Sequence, residues 1–460
     1  MAAYHYPPGP KPQRIFGNLR EFRPDQLGFM TNLQRTYGDA ATMYLLKTPA
    51  VLFTRPEAIR YVLIENARNF INRPVFESLR LVLGDGLLSI DGDFHRQQRR
   101  MVQPAFHKQR VESYCDTMVA CTENMLDEWT PGSQRDIADE MMRVTMRIVA
   151  KALFNIDIAS QIEALSQAFS QASDFSRRAR APWRLRVNLP FTRYGKYLRA
   201  RAYLDDTMAA LIAQHRASGE DSGDVISMLL GAQDEDGNAM PDQQVRDETL
   251  TLLAAGHATT ANTLSWAFYL LSSYPEQRGK LLDELRRVLA GRPPTVDDLA
   301  NLPYLDMVVK ETMRLYPPAW MQPRYTVDDF EYGGYRIKKG TVIFLSQWVT
   351  HRLPDLWPEP DTFKPERFDP ACPRQLTGET GQKVPAQAYF PFGAGSRICI
   401  GMPFANLEAR ILLATILQRY VPRMKPGFPV VPQPMVTLFP KFGLQMILEP
   451  AARVQAMQPT

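Results

Sequence analysis

Ten residues dominate this sequence: Phe392-Gly393-Ala394-Gly395-Ser396-Arg397-Ile398-Cys399-Ile400-Gly401. The three glycines let the backbone pass close to a large flat group that side chains would block. Arg397 supplies a fixed fork of donors for an anion such as a carboxylate, and Cys399 can bind a soft metal as its thiolate. A buried cysteine in a glycine turn is the alternative interpretation of a lone cysteine. The full string favours a metal-binding loop instead.

The segment after this loop predicts a helix from Pro403 to Tyr420, because its apolar residues recur at helical spacing. The apolar stripe consists of Leu407, Ile411, Ala414 and Leu417. Cys399 therefore precedes a helix. The positive end of the helix dipole and the unpaired N–H groups there favour a thiolate over a thiol.

The string resembles the haem-binding loop of the cytochrome P450 family, Phe-x-x-Gly-x-Arg-x-Cys-x-Gly, and an ordered series of further motifs extends the resemblance from about residue 7 to residue 450. The resemblance implies a mainly α fold with a smaller β portion and a single haem domain over residues 1–460. It also implies a haem-thiolate monooxygenase with Cys399 as the iron ligand. Lys-Glu-Thr-x-Arg-Leu-Tyr-Pro-Pro and Pro-Glu-Arg-Phe look closer to the fatty-acid and microsomal branch, here in a soluble bacterial-type member.

Composition narrows the class of protein further. The chain has 460 residues, 45% of them hydrophobic, and 54 Lys and Arg against 49 Asp and Glu give a net charge of +5. This charge is too small to imply a nucleic-acid partner, and no nucleic-acid motif is present. Four cysteines without disulfide or zinc spacing fit a reducing cytoplasm. Since no apolar leader precedes Pro7, we expect a cytoplasmic monomer without a transmembrane anchor.

Patterns along the chain separate strands from helices. Alternation predicts strands at 41–46, 50–54, 335–337 and 341–345 and again near 436–448, whereas helical periodicity dominates from 91 to 289. The run from 250 to 273 has no charged residue and is long enough to span a membrane. Threonines, an Asn and a His near its middle favour a helix buried within a water-soluble core instead.

That helix contains Ala255-Gly256-His257-Ala258-Thr259-Thr260, which resembles the family motif Ala/Gly-Gly-x-Asp/Glu-Thr-Thr on the oxygen side of the haem. The resemblance implies that Gly256 admits the macrocycle and dioxygen and that the hydroxyl of Thr259 assists proton delivery. A packing seam of small residues between helices is the alternative interpretation of this segment.

Ala258 departs from the family motif, because an acid usually precedes the threonine. A general acid contributes about 10² to 10⁴ in rate, so we expect a relay made of water or poorer coupling of electrons to product. His257 is a candidate substitute for the acid, but a packed helix histidine is the favoured interpretation.

Two further sets of residues are implied by the resemblance. Glu311 and Arg314 lie one helical turn apart and are expected to form a buried charge network with Arg367, which holds the later loop in place. The residues expected to bind the haem propionates are His95, Arg99, Arg324 and Arg397. The other expected haem contacts are Phe392 and Gly401 of the loop. The alternative interpretation of His95 and Arg99 is a solvated basic helix face.

The implied cofactor is haem b with dioxygen, and the implied electrons come from NAD(P)H through a separate ferredoxin-type or flavodoxin-type partner that docks near Arg96, Arg100 and Arg410. The expected substrate is hydrophobic (a fatty acid, terpene or steroid), because the residues that align with the family pocket are apolar or small. These residues are Leu87, Leu88, Ala254, Ala255, Ala319, Trp320, Met321, Val436 and Thr437. Each of them could equally belong to the core.

Three other activities stay open. A peroxide-driven peroxygenase and an isomerase or lyase of the same fold would need no reductase, and Ala258 makes them worth testing. A haem-thiolate gas sensor is the non-catalytic alternative, which the presence of Thr259 in its motif disfavours.

Overall fold

The computed structural model describes residues 4–155, 164–165, 167–169, 171–172, 175, 188–218, 224–370 and 385–451. Cys372 lies outside the described residues. The α-helices are α1 Leu19–Phe22, α2 Gln26–Tyr37, α3 Pro56–Arg60, α4 Arg73–Leu83, α5 Gly92–Val102, α6 Lys108–Glu112, α7 Cys115–Asp127, α8 Ile137–Phe154, α9 Arg193–Ser218, α10 Val225–Gly231, α11 Asp242–Ser273, α12 Pro275–Leu289, α13 Pro303–Leu315, α14 Gln347–Thr350 and α15 Met402–Arg419.

The strands are β1 Ala40–Leu45, β2 Thr48–Phe53, β3 Phe70–Ile71, β4 Gln134–Asp136, β5 Gln322–Thr326, β6 Phe330–Tyr332, β7 Tyr335–Ile337, β8 Val342–Leu345, β9 Tyr420–Met424, β10 Pro432–Pro434, β11 Leu438–Pro440 and β12 Gln445–Pro450. One π-helical turn is Tyr61–Glu65, and 3₁₀ turns occupy Ala67–Asn69, Gln103–Phe106, Asp297–Asn301, Pro365–Phe368, Ala386–Ala388 and Gly395–Arg397.

The chain forms two compact units, and neither is a contiguous segment. Unit 1 comprises Met1–Ile71, Thr122–Met141 and Thr259–Thr460, and unit 2 comprises Asn72–Cys121 and Met142–Ala258.

Unit 1 contains a five-stranded sheet with the strand order β1-β2-β8-β5-β3. β2 and β8 are parallel, with Leu52 opposite Phe344, and the other pairs are antiparallel. All four residues of the central strand β8 are buried, as expected for an apolar, β-branched run in the middle of a sheet. Phe390 packs in the core below this sheet with Ile59 and Leu345. The sheet therefore supports the segment that leads into the loop of Cys399.

Unit 2 is helical in the part that the structure describes. The hydroxyl of Thr145 in α8 donates to the carbonyl oxygen of His257 in α11 at 3.1 Å. A Cβ on Gly256 would lie 3.2 Å from Cγ2 of Val149, which is tighter than most Cβ contacts. The absence of a side chain at Gly256 therefore permits the close packing of these two helices, as the packing-seam interpretation predicts.

The sequence predictions match these elements closely but incompletely. The helix expected at 403–420 is α15, and four of the predicted strands correspond to β1, β2, β7 and β8 with boundaries shifted by no more than two residues. Strand β5, which carries Arg324, was not predicted from the sequence. The uncharged run from 250 to 273 lies within α11, and no helix among the described residues is sufficiently long and apolar to span a membrane.

Candidate active site

The loop from Phe392 to Gly401 has a backbone that only its glycines permit. Gly393 and Gly395 have φ values of +72° and +68°, which lie in the left-handed region that residues with a Cβ rarely adopt. A Cβ on Gly395 would also lie 2.1 Å from the carbonyl oxygen of Leu63. The N–H of Cys399 donates to the carbonyl oxygen of Phe392 at 2.9 Å and closes the loop.

Cys399 differs from the other described cysteines in its exposure. Cys115 and Cys121 are buried, whereas Cys399 is exposed, and none of the three is in a disulfide. Gly401 is the N-cap of α15, so the sulfur lies at the positive end of an eighteen-residue helix. An accessible thiol in this position can serve as a thiolate ligand for a soft metal.

Unit 1 also contains a buried charge network, two of whose residues lie on α13. Glu311, Arg314 and Arg367 are 0%, 0% and 3% exposed. Arg314 forms two hydrogen bonds with the Glu311 carboxylate, Nε to Oε2 at 2.7 Å and Nη2 to Oε1 at 2.8 Å. Nε of Arg367 lies 3.3 Å from Oε1 of the same carboxylate. The structure thus brings together the three residues that the sequence analysis grouped as a scaffold.

The network holds the irregular region after α14 by its backbone. Arg314 also donates to the carbonyl oxygens of His351 at 2.8 Å and Pro360 at 2.7 Å, and Arg367 donates to that of Glu359 at 2.7 Å. The N–H of Lys364 donates to Oε1 of Glu311 at 3.0 Å. One carboxylate and two guanidinium groups therefore satisfy backbone groups that no sheet or helix pairs.

The rings of buried His351 and half-buried Tyr389 extend this support towards the loop of Cys399. The N–H of Phe390 donates to Nε2 of His351 at 3.1 Å, and the hydroxyl of Tyr389 donates to the carbonyl oxygen of Lys310 at 3.0 Å. Burial and the nearby Arg314 lower the pKa of His351 well below its usual value. His351 is therefore neutral, as its role as an acceptor requires.

The candidate contacts to an anionic group divide between the units. In unit 1, Arg324 is 6% exposed on β5, and Arg397 is half-buried at the end of its 3₁₀ turn. In unit 2, His95 is buried and Arg99 half-buried on one face of α5. His95 is therefore not part of a fully solvated basic face.

Helix α11 carries no acid at position 258, but a carboxyl group lies near its following turn, in unit 1. Glu408 of α15 is 0% exposed. Burial raises the pKa of Glu408 to about 8, against the opposing effect of the nearby side chain of Thr260. Neither carboxyl oxygen of Glu408 has a hydrogen-bond partner among the described residues. His257, by contrast, is buried with Nδ1 2.8 Å from the carbonyl oxygen of Leu253, and burial lowers its pKa. His257 is therefore a packed neutral histidine.

The predicted substrate-pocket residues of unit 1 lie near one another. The indole N–H of Trp320 donates to the carbonyl oxygen of Met435 at 3.0 Å, next to Val436 and Thr437. The side-chain amide of Asn262 in α11 donates to Oγ1 of Thr437 at 3.1 Å. Trp320 is buried, so its ring also belongs to the core, while Val436 is 52% exposed. Ala319 and Met321 are half-buried on either side of Trp320.

In unit 2, the predicted pocket residues lie on α11 and on the segment before α5. Ala255 is exposed and Ala254 half-buried in the middle of α11. Leu87 is buried and Leu88 half-buried, and the N–H of Leu87 donates to Oε2 of Glu248 in α11 at 3.0 Å. This hydrogen bond joins the segment to the helix that carries the two alanines.

Residues 7–445 match the family model described as Cytochrome P450. The chain belongs to the cytochrome P450 family. It is 37% identical to cyclooctatin synthase of Streptomyces melanosporofaciens over 92% of this chain and 91% of that protein. It is also 37% identical to cyclooctat-9-en-7-ol 5-monooxygenase of the same organism, over 91% and 90% of the two chains. Pentalenene oxygenase of Streptomyces avermitilis is 33% identical over 94% of each chain.

Solved structures confirm the cytochrome P450 fold. The retinoic-acid-bound cyanobacterial CYP120A1 superposes with a TM-score of 0.86 at 26% identity, over 98% of this chain and all of that one. The cytochrome P450DA haem domain superposes with a TM-score of 0.87 at 24% identity, over 97% of this chain and 98% of that one. The mainly α fold with a smaller β portion is therefore confirmed. The prediction of a monooxygenase is confirmed by the family model and by the relatives named as a monooxygenase and an oxygenase.

Cytochromes P450 use haem and dioxygen, and the residues of unit 1 fit that cofactor. An exposed thiol at a helix start suits iron, and the glycines of its loop keep the backbone free of side chains. The buried guanidinium of Arg324 is the kind of donor that a propionate needs.

Sequence patterns missed several buried polar groups. Glu408, Glu248 and His351 stand out only by their burial and their partners. Glu408 lies on the helix that follows Cys399. Because a glutamate on a helix is usually exposed, no signal in the sequence separates Glu408 from surface residues.

Proposed function

We propose that this cytochrome P450 inserts one oxygen atom from dioxygen into a terpene-class substrate. The relatives named for pentalenene and cyclooctat-9-en-7-ol support this class over the fatty acids and steroids that the sequence also allowed. Ala254 and Ala255 of unit 2 and Ala319 and Val436 of unit 1 are small or apolar, as contacts to such a hydrocarbon need to be. Placement in the fatty-acid and microsomal branch has no support from these relatives.

The observation that carries the proposal is the loop of Cys399. Its backbone requires glycine at 393 and 395, and the preceding Phe390 is hydrogen-bonded to His351, which Arg314 of the Glu311 network holds. When bound, haem would supply the oxygen-activating chemistry, and the Cys399 sulfur would bind its iron. Arg324 and Arg397 of unit 1 would hold a propionate, and His95 and Arg99 of unit 2 remain predicted propionate contacts. The side chain of Thr259 would handle a proton at its hydroxyl oxygen.

The decisive experiment is the absorption spectrum of the reduced protein with carbon monoxide. The wild type should show the red-shifted Soret band of thiolate ligation, and Cys399→Ser should lose it. Cys121→Ser, which replaces a buried cysteine of α7, is the matched control and should keep the band. A native band in Cys399→Ser would overturn the proposed ligand. A screen of terpenes, fatty acids and steroids for spin-state shifts then tests the substrate class.

We further propose that electrons come from NAD(P)H through a separate ferredoxin-type or flavodoxin-type partner. Arg96 pairs with Asp93, Arg100 with Glu235, and Arg410 lies 3.8 Å from Asp306, so acids moderate all three cations predicted to dock this partner. A weak and strongly salt-dependent association is therefore expected. The single haem domain, the cytoplasmic location and the monomeric state also remain proposals. The location is supported by the sequence, whose four cysteines have no disulfide spacing.

A peroxide-driven reaction is the second candidate, and Ala258 favours it. Without an acid at this position, proton delivery to reduced oxygen has one fewer donor, whereas hydrogen peroxide brings its own protons. Product formation with hydrogen peroxide at a rate above that with dioxygen and a reductase would establish this candidate over the monooxygenase.

A further inference from the structure

The segment between α4 and α5 is hydrogen-bonded to the first turns of α11, all within unit 2. The N–H of Asp85 donates to Oδ2 of Asp247 at 2.7 Å, and the N–H of Leu87 donates to Oε2 of Glu248 at 3.0 Å. The side-chain amide of Gln244 donates to the carbonyl oxygen of Asp85 at 2.9 Å. Two consecutive carboxyl groups of one helix thus hold alternate N–H groups of the segment.

Two glycines make this close approach possible. A Cβ on Gly84 would lie 2.2 Å from Oδ2 of Asp247, and the φ of Gly84 is +69°. A Cβ on Gly86 would lie 2.0 Å from Oγ1 of Thr251, one turn further along α11. Since any side chain at either position would push the segment away from the helix, the contact depends on both glycines.

The two carboxyl groups have different surroundings. Asp247 is paired with Arg246 at 2.7 Å, and Arg246 also pairs with Asp205 of α9. Glu248 is 0% exposed, and its described partners are the N–H of Leu87 and the amide of Gln244, at 3.0 and 2.9 Å.

The other charged groups around this contact are already paired. On the segment side, Asp85 is paired with Arg80 of α4 at 2.7 Å. No cation is found in contact with Glu248 in the part of the chain that the structure describes. Burial and the negative charge of Asp247 raise the pKa of Glu248 to about 7, against the effect of its two hydrogen bonds.

We propose that Glu248 is a positioning residue that holds the segment of Leu87 and Leu88 against α11 and thereby sets which substrates the enzyme accepts. This inference rests on the proposed function, because it takes Leu87 and Leu88, which the sequence analysis assigned to the substrate pocket, as contacts to the proposed hydrophobic substrate. Ala255 lies seven residues after Glu248, two turns along the same helix face. The contact therefore fixes the segment relative to the helix surface that the proposed pocket uses.

The sign of the pH dependence follows from burial. Opening the segment would expose Glu248 to water and return its pKa towards 4.5, whereas in the closed state the pKa is about 7. The closed state therefore binds the proton more tightly, so it is favoured at low pH and weakens as the pH rises through 7. From pH 6 to pH 8 the open fraction should rise by about tenfold.

Hydrogen exchange of the haem-containing enzyme without substrate tests this positioning role. After correction for intrinsic exchange, protection of amides 85–89 should fall by about tenfold between pH 6 and pH 8. In Glu248→Gln, which mimics the neutral acid, protection should stay at its low-pH value throughout. In Glu248→Ala, which lacks the acceptor, it should be low at both values. A flat wild-type profile, or wild-type behaviour in Glu248→Gln, would overturn the role.

Glu284→Gln is the matched control. Glu284 is also buried and accepts backbone N–H bonds, from Tyr304 at 2.8 Å and Leu305 at 2.9 Å, but it belongs to unit 1. This variant should keep the wild-type profile of amides 85–89, and a changed profile would show that the effect is not specific to Glu248.

Substrate binding tests the second half of the proposal. The ratio of dissociation constants for a compact and a bulky terpene, measured by spin-state titration, should change by severalfold in Glu248→Ala and little in Glu248→Gln at pH 6. An unchanged ratio would overturn the link to substrate choice. Because the exchange experiment uses no substrate, its failure is distinct from a failure of the proposed function, which would appear as absence of binding by any terpene in the wild type.

Discussion

Buried carboxyl groups on α13 and around α11 have opposite environments. Glu311 of α13 faces two guanidinium groups, those of Arg314 and Arg367. Glu408, beside Thr260 of α11, has no ion-pair partner among the described residues, and its pKa is raised to about 8. A charge network that satisfies backbone groups fixes a loop permanently, whereas an unpaired buried acid can change its protonation near neutral pH. The first environment suits a scaffold and the second suits proton chemistry.

The largest effect is expected from breaking the scaffold. Glu311→Ala leaves the buried guanidinium groups of Arg314 and Arg367 without their carboxylate, which costs about 3–5 kcal/mol of folding free energy. The loop of Cys399 should lose its support, so the variant should retain little or no haem. Haem content per protein and urea unfolding provide the measurements.

The control for Glu311 is Glu366→Ala. Glu366 lies in the 3₁₀ turn of Arg367 but pairs with Lys280 near the surface at 2.8 Å, where an ion pair contributes about 0–1 kcal/mol. Equal losses in both variants would show that the buried network has no special role.

The second-largest effect concerns the pH dependence of stability, which tests whether Glu408 is a buried acid without an ion-pair partner. Its pKa of about 8 in the folded protein lies above the 4.5 of an unfolded glutamate. Its contribution to stability is therefore full below pH 4.5 and is lost as the pH rises through 8. Wild-type stability should fall by about 3 kcal/mol more between pH 5 and pH 8 than that of Glu408→Gln.

Thermal unfolding at the two pH values measures this difference. Glu57→Gln, at an exposed position of α3, should follow the wild type. Parallel pH profiles of the wild type and Glu408→Gln would contradict the unpaired, protonated state of Glu408.

The smallest effect concerns the missing acid of α11. Ala258→Glu would add a carboxyl group next to Thr259, and we expect product formed per reducing equivalent to rise by up to about tenfold, since general acids contribute to proton transfer. Ala258→Gln, which has the same size without the acid, is the control. Equal coupling in the wild type and Ala258→Glu would show that proton delivery in this enzyme does not need that position.

Local patterns supplied most of the site predictions, because each motif is short and chemically specific. The loop around Cys399 was predicted with its following helix, and Glu311, Arg314 and Arg367 were grouped by order and spacing before their contacts were known. The ends of helices and strands were predicted less accurately from the sequence, since they depend on caps and pairing partners. Strand β5 escaped prediction because Pro323 and Arg324 interrupt its apolar pattern, and pairing with β8 stabilises it.

By itself, the sequence determined the family, the fold class and the thiolate candidate Cys399, because these depend on residue types at fixed offsets. The sequence motif predicted the partners of Glu311, whereas only the tertiary structure decided the surroundings of Glu248 and Glu408. Both of these acids lie on helices without a motif that marks them, and their neighbours Leu87 and Thr260 come from elements distant in the chain. Burial and pairing are properties of the packed molecule. They decide whether a carboxyl group stays ionised and stabilises a loop or has a raised pKa and binds a proton.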